Sequence, residues 1–201
     1  MHRRTLADAR RLALTLALTL ASAGLLAACA CFPDRAPAYG APTAAQAGSF
    51  GALTGLVGKT WRSEPVAEGE TGPADISAWS WDLGGRVMVN RHALEDRSYG
   101  GVTYVYENGQ TGSLDYVYVT SAGFHTTGTF VLGDDGSWTA EEAVTGHDTI
   151  TRVRSTGRLT PEGTMTMTSE YFAKGEWSPG RNVVYASVDA DIPKITGRLA
   201  E

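Results

Sequence analysis

From residue 75 to residue 190 the chain repeats one pattern: a short run in which apolar or aromatic positions alternate with polar ones, then a cluster of Gly, Asn, Asp or Pro. Alternation with period two is the mark of a pleated strand, and the clusters are turns. The clearest case is Thr103 to Glu107 and Leu114 to Thr120, where β-branched and aromatic residues alternate on either side of Asn108-Gly109. That dipeptide tolerates the positive φ a tight hairpin needs, and Gly112 leaves room for a longer loop. The same reading predicts strands over Asp75 to Asp82, Arg86 to Ala93, Phe124 to Leu132, Trp138 to Thr145, Asp148 to Gly157, Thr164 to Phe172 and Arg181 to Ala190. A further strand opens at Gly58-Lys59-Thr60-Trp61 and breaks at Pro65, and Phe50, Leu53, Leu56 and Val57 before it have the spacing of a short amphipathic helical turn that caps something. With about ten short strands and no long helix, the expected fold is all-β: one antiparallel up-and-down barrel of 8 to 10 strands with a short N-terminal helix. Closure removes the exposed edges such strands would otherwise carry. A two-sheet sandwich is the alternative.

The first residues follow different rules. Met1 to Arg11 carries four arginines, and Leu12 to Leu26 is an apolar run of 15 residues. This is shorter than the roughly 18 to 20 residues that span a bilayer, and it has the form of a signal peptide. The run ends Leu26-Ala27-Ala28-Cys29, which resembles the lipobox of bacterial lipoproteins. The resemblance implies cleavage before Cys29, acylation of that cysteine, and a lipid anchor in the bacterial cell envelope. Ala30 follows it in place of the aspartate of inner-membrane retention, so the outer membrane is the expected destination where a cell has two. Ordinary secretion with cleavage after Ala30 is the alternative. Residues 1–28 are thus expected to be the leader, 29–48 an Ala-, Pro- and Gly-rich tether, 49–195 the barrel, and 196–201 a tail.

Charge narrows the partners. The chain holds 17 Lys and Arg against 22 Asp and Glu; the leader takes four arginines and one aspartate, leaving 13 against 21, a net charge of −8. That balance argues against nucleic acid or anionic lipid as a partner of the globular part, so the membrane is expected to be met through the anchor alone. With Cys29 acylated, Cys31 has no cysteine to pair with.

Gly58-Lys59-Thr60 invites comparison with a phosphate-binding loop, but that pattern needs a glycine where Leu53 stands. A short helix, then Gly58, then Trp61 heading the first strand instead resembles the opening of calycin barrels, the lipocalins and their relatives. Two residues separate Gly58 from Trp61 where lipocalins have one. Leu56-Val57-Gly58, Trp61, Gly84-Gly85-Arg86 and the Tyr-rich middle hairpin are more similar to the uncharacterised bacterial calycin-like barrels of the DUF1579 type. That resemblance implies a fold and almost no activity.

A barrel of this size can hold a small ligand, so inward polar residues are the binding candidates. Arg86, Asn90 and His92 share one strand face, Arg152 and Arg154 another, and Glu142 and Glu170 could answer them. If this parity faces solvent instead, the same charges form a wet outer surface. Tyr104, Tyr106, Tyr116 and Tyr118 are expected to stack on one face, either lining a pocket or packing the sheet. Met165 and Met167 read as core. His92, His125 and His147 have no metal-ligand spacing, and no metal is expected. Some calycin-like barrels hold haem through one histidine, which makes His125 the residue to test for that cofactor. No Gly-x-Ser-x-Gly stands in the chain, and nothing selects a catalytic serine. The expected function is to bind a small amphipathic or hydrophobic molecule in the lumen. An assembly lipoprotein with a packed lumen and a barrel enzyme acting on a small molecule are the alternatives.

Overall fold

Ten strands hydrogen-bond in one closed antiparallel ring in the computed structural model, which describes residues 48–65 and 72–195. They are β1 (Thr60–Pro65), β2 (Asp75–Asp82), β3 (Val87–Leu94), β4 (Gly100–Glu107), β5 (Leu114–Thr120), β6 (His125–Leu132), β7 (Ser137–Thr145), β8 (Ile150–Leu159), β9 (Met165–Ala173) and β10 (Glu176–Val188). Each strand pairs with its neighbours in sequence, and β1 closes the ring on β10, Trp61 facing Ser187 across that seam. The up-and-down barrel expected from the alternation is therefore the fold, and the sandwich is excluded. The leader, Cys29, the tether up to residue 47 and the 196–201 tail lie outside the described residues.

Parity decides what each strand puts inside. Trp79 of β2, Met88 of β3, Val105 of β4, Tyr116 of β5, Trp138 of β7 and Met165 of β9 all turn inward. Three glycines make room for aromatic rings on the strand beside them. A Cβ at Gly101 would sit 2.3 Å from the Tyr118 ring, one at Gly128 2.8 Å from Tyr116, and one at Gly157 2.3 Å from the indole of Trp138. A glycine inside a strand often marks such a close approach.

One end of the ring is stoppered. The N-terminal helical segment is a 3₁₀ helix, Gly51–Leu56, and it buries Phe50, Leu53 and Leu56 among Trp61, Met88, Val105 and Leu114. Trp61, itself fully buried, donates its indole N–H to the Leu56 carbonyl at 3.0 Å, fastening the stopper to β1. Phe50 meets Trp81 edge-on at 5.0 Å.

Two expectations are corrected. The four tyrosines do not share a face: Val105 pairs with Tyr116 and Thr103 with Tyr118, so Tyr104 and Tyr106 point outward and are exposed. The connection from Glu107 to Leu114 leaves six residues between the strands, and an even-length loop pairs even positions with odd ones. Gly112, at φ +72°, lies in that longer loop. The last strand begins at Glu176, not Arg181, with a register irregularity between Pro179 and Asn182, because proline lacks the N–H that a continuous ladder requires.

Candidate functional site

The barrel is not filled. Above the stopper lies a cavity of about 450 Å³, and its walls change character along the axis. Toward the plugged end they are Tyr116, Phe130, Trp138, Met165 and Met167. Toward the other end, where β2 begins, β3 finishes and β4 begins, they are Asp75, His92, Tyr99, Tyr118, Glu142 and Arg181, with Phe124, Val144 and Ile150 among them. An apolar floor under a polar mouth is the form of a site for a molecule with a tail and a head.

The mouth is held by a chain of hydrogen bonds. Asp75 Oδ1 lies 2.6 Å from His92 Nδ1, His92 Nε2 lies 2.8 Å from Tyr118 Oη, and Tyr118 Oη lies 2.6 Å from Tyr99 Oη. Asp75 Oδ2 accepts from the Tyr185 hydroxyl at 2.9 Å, and the Asp75 amide donates to Ser63 Oγ at 2.8 Å. A carboxylate can only accept, so His92 carries a hydrogen on Nδ1; with the ring neutral, Nε2 accepts from Tyr118 and Tyr118 accepts from Tyr99. Register explains the meeting. Ser77 pairs with His92, and Asp75 is the inward residue of β2 two positions before Ser77. Below this chain Asn90 Nδ2 donates to Ser77 Oγ at 2.9 Å.

Burial sets the protonation of the lumen. It pushes the phenols of Tyr116, Tyr118 and Tyr185 far above their ordinary range and raises that of Tyr99, so all four keep their protons. It also raises the Glu142 carboxyl, against the opposing effect of the hydrogen bond from Thr126 Oγ1. Arg181 reaches Ser63 Oγ at 3.3 Å and forms no ion pair among the described residues.

Of the candidate residues, Asn90, His92, Tyr116 and Glu142 line the cavity. The others do not. Arg152, Arg154 and Glu170 lie on the outer face, where Arg154 pairs with Glu170 at 2.5 Å and stacks 4.4 Å from the Trp177 ring, and Arg152 pairs with Glu141. Val153, between the two arginines, is the residue that faces the lumen. Arg86 is exposed at the end of the turn before β3, Tyr104 is exposed on β4, and His125 is exposed beside inward Thr126. His125 therefore stands away from the lumen wall, as a haem ligand inside the barrel could not. Among the described residues no three His, Cys, Asp or Glu come together as a metal site.

Asp75, Tyr99, Tyr185 and Arg181 were not singled out from sequence, and Tyr118 only as part of a ladder. Asp75 had a signal: Trp79 and Trp81 mark the inward parity of β2, and Asp75 shares it. Tyr99 and Arg181 had none, because Tyr99 precedes its strand and Arg181 sits inside the irregularity of β10.

No family model matches the chain, and no curated protein is similar to it.

Proposed function

We propose that this protein is a lipid-anchored envelope protein that binds a small amphipathic molecule in the barrel lumen, tail toward the stopper and head at the mouth. The observation that carries the reading is the cavity of about 450 Å³ with an apolar floor and a polar rim. A barrel serving only as a scaffold gains nothing from such a void, since interiors pack densely and empty space costs stability.

The container reading is preferred to catalysis because Phe130, Trp138, Met165 and Met167 give the lumen an apolar floor that offers a bound molecule contact and no reactive group. The anchor at Cys29 rests on the lipobox resemblance. A Cys29→Ser chain that still partitions into membranes and takes up labelled fatty acid would remove it.

The test of the binding function is native mass spectrometry of the full chain released gently from its own host envelope. A discrete co-purifying small molecule of constant mass is expected. A clean apo mass, unchanged after addition of envelope lipid extract, would reject the proposal in favour of an assembly protein that meets a partner through its surface.

A further inference from the structure

The hydrogen-bond chain at the mouth has a direction, and the direction selects a head group. Asp75 accepts at one end, so with neutral His92 every hydrogen in the chain points inward: Tyr118 gives its own to His92 Nε2, and Tyr99 gives its own to Tyr118. Tyr99 Oη, on the lumen wall, is left with lone pairs and no hydrogen to offer. It asks for a donor. Charge adds a second condition. The two carboxyl groups that line the lumen, Asp75 and Glu142, bracket Tyr99 and Tyr118 closely enough that both affect the ionisation of those phenols. Among the described residues Arg181 is the one arginine on the lumen wall facing these two carboxyls, and Glu64 and Glu95 in the cleft at the rim are already paired with Arg62. An anionic head would meet more negative charge than positive in a site that water screens poorly.

We infer that the bound molecule carries a neutral head with a hydrogen to donate, an alcohol or an amide, and that the lumen rejects the carboxylate of the same chain length. The inference rests on the binding function proposed above. Asp75 and His92 are positioning residues in it: they fix which way the tyrosine hydroxyls point. Tyr99 is the residue that touches the head.

Three ten-carbon probes separate the possibilities: 1-decanol, methyl nonyl ether, which cannot donate, and decanoate. Their binding to the full chain, stripped of bound lipid, is followed at pH 8 through the fluorescence of Trp79 and Trp138 in the lumen wall. Decanol is expected to bind about tenfold more tightly than the ether, because a site built around a hydrogen bond discriminates against the analogue that lacks it, and decanoate is expected to be weakest. Tyr99→Phe should bring decanol down to the level of the ether. Tyr118→Phe should act from the other side. It frees the Tyr99 hydrogen to serve the ether oxygen, so the alcohol-to-ether ratio falls to within about twofold. Circular dichroism of both variants reports the fold, and either variant alone suffices if the other does not fold. Decanoate binding as tightly as decanol, or a ratio that neither substitution changes, would overturn the inference while leaving the binding function standing. No response to any of the three probes would overturn the binding function and this inference with it.

Discussion

Glu142 turns into the lumen with the Thr126 hydroxyl as its partner, and burial holds its carboxyl above the ordinary range. An acid with a raised folded pKa binds its proton more tightly in the native state than in the unfolded chain. Its environment therefore costs nothing below the unfolded value of about 4.3, and stability falls as pH rises through the folded value. Glu142→Gln keeps an acceptor for Thr126 and removes the charge. Its melting temperature should match the wild type at pH 4 and exceed it at pH 8, as a pair of thermal scans would show. At this scale four of the ten residues named from sequence reach the lumen. Asn90, His92, Tyr116 and Glu142 reach the cavity, whereas Arg86, Tyr104, His125, Arg152, Arg154 and Glu170 face away from it. Alternation sorts residues into two faces but does not label them, and on β8 the label follows from desolvation: burying Val153 is favourable, burying two arginines is not.

At the scale of the element, strands here are placed by what lies on their neighbours. The indole of Trp138 lies flat over Gly157, its partner across β7 and β8, and no larger residue fits beneath it. Gly157→Ala should cost about 1–3 kcal/mol through overpacking, measured as a lower midpoint in urea with an unchanged slope. The stopper is a second such joint. Trp61→Phe removes the N–H that holds the Leu56 carbonyl and leaves that buried acceptor without a partner, at an expected cost of about 1–3 kcal/mol by the same measurement. The strands themselves were legible because turn residues bound them so clearly. Their pairing was less so. The six-residue connection between β4 and β5 put Tyr104 and Tyr106 on the face opposite Tyr116 and Tyr118, and only the loop length, not the strand pattern, carries that parity.

In the molecule as a whole, closure of β1 on β10 creates an inside, and the stopper gives that inside a floor. The void left above it separates a container from a scaffold, and filling it tests which one this is. Val153→Phe adds a ring to the lumen wall across from Glu142. The variant should melt at or above the wild-type temperature and lose the co-purifying molecule in native mass spectrometry, whereas a lumen already full would lose stability. The all-β class, a strand number at the top of the expected 8 to 10, and the capping helical turn were determined by the sequence. These depend on local spacing, and local spacing is written along the chain. The face that became the lumen, and the meeting of Asp75, His92, Tyr118 and Tyr99 at its mouth, were decided only by the tertiary structure. Those contacts join β2, β3, the segment before β4, and β5, and they exist only once register and closure have fixed which side chains of distant strands point at one another.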